Sequence, residues 1–212
     1  MMAERTVDGL REKGMADFYQ PGHRALQREF ESTALADRLE TLIVRPELDA
    51  EAQAFIEQQD HFFLSTLGAD GFPTVSHKGG DTGFVKINDP KTLSFPCFDG
   101  NGMWLSMGNI ADHGKVGLLF INAVTPHRVR IHGVAKLVRD PAVLNRWKDV
   151  GLAVEVKIQS AWINCPRYIH PMEKRGQSLH VPSAERETAP AEWKALEVVA
   201  DVLPPQPHEV KR

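Results

Sequence analysis

The chain has 212 residues, 42% hydrophobic and 25% charged, with a net charge of −3 and a pI near 6.3. That length suits one domain with extensions and is enough to bury a core without staples. The near-neutral balance excludes a general pull toward nucleic acid or an anionic membrane, so any anion site must be built locally from a few donors.

The chain starts charged and helix-prone. Between Gly22 and Leu42 the apolar residues Leu26, Phe30, Leu35, Leu39 and Leu42 recur at steps of three to five, predicting one or two short helices that pack on something else. Pro46 and Asp49 mark a further helix start, followed by Leu48, Ala52, Phe55 and Ile56 at i, i+4, i+7 and i+8.

The character changes at His61. HFFLSTL (61–67), the turn Gly68–Gly71 and FPTVSHK (72–78) read as a β-hairpin broken by Gly79-Gly80. TGFVKI (82–87), the turn Asn88–Lys91 and TLSFPCF (92–98) predict a second hairpin, with Pro96 pointing to an edge strand or an irregular end. A glycine-punctuated loop from Asp99 then enters a short helix with Met103, Trp104, Met107 and Ile110 at apolar positions. VGLLFI (116–121) has the continuous apolar run of a well-buried strand, expected to be the best buried of all. RVRIHGVAKLV (128–138) alternates, setting Arg128, Arg130 and His132 against Val129, Ile131 and Gly133. Asp140-Pro141 opens a helix for AVLNRWKDV, and LAVEVKIQSAWI (152–163) returns to strand. The tail is polar from Pro182, with room for one helix over 191–203. Closely spaced, mostly antiparallel strands with one inserted helix favour a small barrel over a parallel α/β sheet: a mainly β fold with peripheral helices.

No apolar run approaches the roughly 18 residues that span a bilayer, which argues against a membrane partner. Cys97 and Cys165 make no disulfide framework, and MMAERTVDGLREKGMADF lacks the apolar stretch of a secretory signal. A cytoplasmic location is therefore the expectation.

Phosphate-cradling glycine loops, dinucleotide fingerprints and zinc-protease motifs are all absent. The histidines His61, His77, His113, His127, His132 and His170 are scattered without close metal-ligand spacing, which argues against zinc catalysis. Two stretches offer chemistry. Pro73–Gly80 ends a strand in Ser76, His77 and Lys78 before two glycines, placing hydroxyl, imidazole and ammonium donors beside backbone that a ligand can approach. A lysine beside a Gly-Gly turn is ordinary by itself. The second stretch, Asp99–Asn109, sets Asn101, Ser106 and Asn109 around a helix start, whose free N–H groups favour an anion. A plain helix cap is the competing explanation.

These pieces in order, FFLSTLGADGFPTVSHKGGDTGFVKI, TLSFPCFDGNGMWLSMGNI, VGLLFI, RVRIHGVAKL and NCPRYIH, resemble the pyridoxamine 5′-phosphate oxidase-like, flavin mononucleotide (FMN)-binding split β-barrel family. The resemblance covers roughly residues 55–172, and FYQPGHRALQREFESTALADRLE (18–40) resembles the N-terminal helical extension of one branch. It implies an extension over 1–45, an FMN-binding split barrel over 46–172 and a polar, helical tail over 173–212.

It further implies a homodimer with FMN at the interface and a small-molecule substrate. The family's first cofactor strand falls on Thr74, Val75, Ser76, His77 and Lys78, with Lys78 toward the phosphate or the polar ring edge. Its second cofactor segment falls on Phe95–Asn101 and Leu105–Asn109, where Asn109 matches a position whose amide commonly meets the flavin. The biosynthetic oxidases carry an Arg-Lys pair where this chain has Leu105 and Ser106. The phosphate would then rest on Ser106, helix N–H groups, Lys78 and an arginine from elsewhere, such as Arg128, Arg130 or Arg167. The cofactor set implied is thus Thr74, Val75, Ser76, His77, Lys78, Asn101, Ser106, Asn109 and Arg167. The arginine-containing C-terminal segment of those oxidases is absent, which argues against oxidation of pyridoxamine phosphate.

The leading expectation is an FMN-dependent oxidoreductase exchanging hydride at flavin N5, with His77 or Tyr168 as candidate proton donors. A non-catalytic flavin-binding or sensor protein is the alternative, as is a barrel holding haem or a deazaflavin. The N-terminal helices have two readings: they cover a barrel face, or they bring Phe18, Tyr19 and Arg24 to the substrate.

Overall fold

A computed structural model describes residues 18–183, 185–205 and 209. It divides into two units, one ending at Val44 and one beginning at Arg45. In the first, α1 (Pro21–Glu29) and α2 (Thr33–Ile43) are joined through Glu31, whose φ of 52° lies in the left-handed region. The proline at the start of α1 suits a position with no helical N–H to offer. The Tyr19 hydroxyl donates to the Ala36 carbonyl at 3.1 Å, Arg24 lies 4.6 Å from the centre of the Tyr19 ring, and Arg24 pairs with Asp37 at 2.6 Å. Taken by itself, this unit buries no residue of either helix, and Leu26, Phe30, Leu35 and Leu42 form its apolar positions.

The second unit is built on seven antiparallel strands: β1 (His61–Leu67), β2 (Pro73–Gly79), β3 (Lys86–Asp89), β4 (Thr92–Pro96), β5 (Lys115–Asn122), β6 (His127–Val138) and β7 (Ala153–Ile163). Their order across the sheet is β2-β1-β5-β6-β7-β4-β3. Helix α3 (Ala50–Glu57) precedes them, capped by the Asp49 carboxylate, which accepts from the Ala52 N–H at 2.8 Å. Helix α4 (Leu105–His113) joins β4 to β5, and α5 (Pro141–Leu144) joins β6 to β7.

The sheet curls around one core. β1 and β4 stand four places apart in the order, about 19 Å in a flat sheet. Yet Phe62 of β1 meets Phe95 of β4 with ring centres 4.9 Å apart, and Phe120 of β5 at 5.0 Å. All three rings are fully buried, with Leu64, Leu93, Val129, Ile131, Val154 and Val156 around them. Ile56 from α3, and Met107 and Ile110 from α4, cap this core. The fold is mainly β with peripheral helices, a split barrel.

Several local expectations are corrected. The stretch 82–85 is not strand: Gly83 has φ +76°, the Phe84 N–H donates to the Asp81 carbonyl at 2.9 Å, and Phe84 and Val85 drop into the core as a plug before β3 begins at Lys86. β5 alternates between buried and partly exposed residues, whereas four of the five residues of β4 are buried, so β5 is not the best-buried strand. Pro96 ends an interior strand; the edges are β2 and β3. Helix α5 stops after one turn, and the single helix expected over 191–203 is a 3₁₀ turn (Glu192–Ala195) and a short α6 (Glu197–Ala200), split by extended backbone at Leu196. The alternation of β6 holds, with Val129, Ile131 and Gly133 inward.

Candidate functional site

β2 is an edge strand paired only with β1, so one long side of it stays open. The two-residue period sends Thr74, Ser76 and Lys78 to the less exposed face and Val75 and His77 to the other. The chain leaves β4 at Pro96 and crosses opposite β2 as the loop Cys97–Trp104 before α4 begins. Between β2 and this loop lies a cavity of about 680 Å³, within the roughly 300–1,000 Å³ usual for small-molecule sites. Thr74, Val75, Ser76 and Lys78 form one wall, and Cys97–Trp104 with Leu105, Ser106 and Met107 form the opposite one.

The loop is shaped for this. Asn101 accepts the Met103 N–H on its side-chain oxygen at 3.1 Å, closing a tight turn that Gly102 completes with φ +75°. Trp104 then takes a left-handed conformation (φ 56°, ψ 18°) at the start of α4, which costs a residue with a side chain of order 1 kcal/mol. No side chain caps that start, so its first-turn N–H groups stay open to an anion. The Ser76 and Ser106 hydroxyls meet at 3.1 Å, tying β2 to the first turn of the helix.

Lys78 supplies the charge. Its ammonium makes no hydrogen bond or ion pair among the described residues, and burial holds it below the usual lysine range, opposed by nearby Cys97. Burial likewise pushes the Cys97 thiol up, against the pull of Lys78 and with a further push from Asp99. Burial thus disfavours the Cys97 thiolate, the form in which a cysteine is nucleophilic.

Of the residues singled out from sequence, Thr74, Val75, Ser76, Lys78, Asn101 and Ser106 line the cavity together. Asn109 does not reach it. Its amide donates to Thr66 Oγ1 at 3.0 Å and Thr74 Oγ1 at 3.4 Å, buttressing the wall from behind. His77 faces away, with its ring stacked on His61 at 5.4 Å. Arg167 lies over the Tyr168 ring on the segment after β7, outside the cavity lining, and Tyr168 is 80% exposed there. Arg128 donates to the Cys165 carbonyl at 2.9 Å, and Arg130 lines a second groove. None of the three arginines lines the main cavity.

The chain's tail does line it, and no local signal in the sequence announced this. Ala191, Trp193, Lys194, Leu203, Pro204 and Pro205 form its outer side, and Lys194 pairs with Asp99 across it. The second groove, of about 240 Å³, lies on the outer sheet face, where Phe63, Gly117, Leu119, His132 and Trp162 lie around it, and it shares Val75 with the main cavity. No helix among the described residues is long and apolar enough to cross a membrane. No metal-holding cluster of acidic, histidine or cysteine side chains occurs among them either.

The sequence that folds into this barrel matches a known family model. The model described as pyridoxamine 5′-phosphate oxidase matches residues 48–163, more than half of the chain, and the protein belongs to that family. Similar solved structures include a putative pyridoxamine 5′-phosphate oxidase from Lactobacillus delbrueckii, 23% identical with a TM-score of 0.46 over 56% of this chain and 95% of that one. HupZ from Group A Streptococcus is 18% identical with a TM-score of 0.45, over 55% of this chain and 93% of that one. An F420 reductase is 16% identical with a TM-score of 0.40, over 55% of this chain and 98% of that one. No curated protein matches the chain.

Proposed function

We propose that this protein is a flavoprotein that binds FMN between β2 and α4 and acts as an oxidoreductase on a small molecule. The observation that carries this is Lys78, a half-buried cation without a hydrogen-bonding or ionic partner among the described residues. It shares its cavity with the Ser76–Ser106 hydroxyl pair and the uncapped start of α4. Holding an ammonium partly out of water is a cost that a bound anion offsets. The donors present fit a phosphate in number and kind.

When bound, FMN supplies hydride exchange at N5 of its ring. Lys78 would neutralise negative charge, the hydroxyl of the Ser76–Ser106 pair that is not donating to the other would donate a hydrogen bond, and Asn101 fixes the loop that faces them. Thr74 and Val75 complete the strand wall, with Asn109 holding Thr74 in place. His77 and Arg167 do not face this cavity and have no part in it within one chain.

In this reading residues 46–172 are the cofactor-binding barrel, 1–45 an extension and 173–212 a tail. A second copy of the chain would sit on the outer groove, which reaches the cleft through Val75 and would place FMN at a homodimer interface. Both cysteines are free thiols, as a cytoplasmic protein keeps them. The test is an absorbance spectrum of the purified protein with mass analysis of the small molecule released on denaturation. Flavin bands and the mass of FMN are expected. A Soret band, or a deazaflavin mass, would replace this reading, and bound FMN without turnover of any electron donor would leave a non-catalytic flavin carrier.

A further inference from the structure

Residues 190–205 lie beyond the family match, which ends at residue 163, yet they form the outer side of the cleft. They are weakly rooted. Among the described residues, the Lys194–Asp99 pair is the one side-chain hydrogen bond or ion pair tying this stretch to the rest of the chain. Asp99 lies 95 positions earlier, on the loop that walls the cavity. The Lys194 side chain is only 20% exposed, so its charge is more than a solvated surface group. Its ammonium also lies 5.6 Å from the centre of the Trp193 ring, which lines the same cavity.

We propose that Lys194 is a positioning residue of the cleft, pinning the C-terminal segment to Asp99 so that Trp193 forms the wall that shields the bound ligand. This rests on the FMN reading for the ligand's identity but not for the latch itself. The electrostatics point the same way. With the pair formed, Asp99 is neutralised and Lys78 is left as the cavity's uncompensated charge, which suits an anion. Without Lys194, a bare carboxylate faces that anion, and like charges at close range oppose binding.

The two roles separate in a small set of variants: Lys194→Met, Asp99→Asn and the exchanged pair Asp99→Lys with Lys194→Asp. Backbone hydrogen exchange over residues 192–203 in the ligand-free full chain reads the latch. FMN release followed by fluorescence reads its effect on the ligand. Both single variants are expected to speed exchange at least threefold, and the exchanged pair to restore it. Lys194→Met is expected to release FMN about two- to fivefold faster, the scale of a partly shielded ion pair. Asp99→Asn should lose less affinity, because it leaves no carboxylate behind. Unchanged exchange in both single variants overturns the proposal, as does slower FMN release, which would make the segment an obstruction. If the wild-type chain binds no FMN, the function proposed above falls, while the exchange measurement still decides the latch.

Discussion

Replacing Lys78 by Met removes the ammonium while keeping most of the apolar stem, so the cleft keeps its shape. Two charges about 4 Å apart at an effective dielectric near 20 attract by about 4 kcal/mol, part of which is lost to desolvation. A hydrogen bond to a charged group nets about 1.5–3 kcal/mol, so FMN affinity should fall roughly 10- to 150-fold. The free protein should behave in the opposite sense. Lys78 has no hydrogen-bond or ion-pair partner among the described residues, and its pKa is depressed by burial, so the variant's unfolding transition should be no lower than wild type. Titration of FMN fluorescence measures the first effect, and parallel titration with riboflavin, which lacks the phosphate, locates it. Weakened FMN with unchanged riboflavin places Lys78 at the phosphate, and equal weakening places it at the ring. The pH dependence follows from the same shift: the anion's affinity is full below the free protein's lysine pKa and falls as pH rises through it, at a lower pH than an ordinary lysine would give. Wild-type FMN affinity in Lys78→Met would refute the placement.

Two more outcomes test the surroundings. Asn109→Ala removes one partner of the buried Thr66 hydroxyl, which keeps its bond to Thr74, so unfolding free energy in urea should drop by about 0.5–1.5 kcal/mol while FMN affinity falls less than in the Lys78 variant; the reverse order would make Asn109 a direct cofactor contact. His132 is held below the usual histidine range by burial and then by Arg130, against the edge of Trp162 at 4.8 Å. A depressed folded-state pKa gives stability that is full above the unfolded value, near 6.5, and lost as pH falls through the folded one. Melts between pH 7.5 and 5 should therefore decline, and His132→Gln should flatten the decline; an unaltered slope would exonerate His132.

The sheet-forming segments could be read from residue order because their signals are local. Alternation in β6, apolar runs in β1 and β5 and the turn at Gly68–Gly71 all act within a few residues, and each element formed where expected. Segment 82–85 misled because a short apolar run suits a buried plug as well as a strand, and only Gly83 gave a hint of the turn. The site was half legible. The period of two already separates Thr74, Ser76 and Lys78 from Val75 and His77, but not which set faces a ligand. Asn109 carried the right chemistry at the right turn of α4, yet its donors point to threonines of β1 and β2.

Sequence alone determined a small antiparallel barrel, a strand ending in Lys78 before two glycines and, separately, a helix start after Asp99, since propensity, periodicity and turn chemistry act between near neighbours; that the two form one site was implied only by the family resemblance. Tertiary structure alone decided how the sheet closes to bring Phe62 onto Phe95, and which side of β2 faces the cavity. It also decided that Lys194 reaches Asp99. Contacts between residues 33 and 95 positions apart depend on how the chain returns on itself, and closing a long loop costs only slowly more with length, so nothing in the local pattern records it.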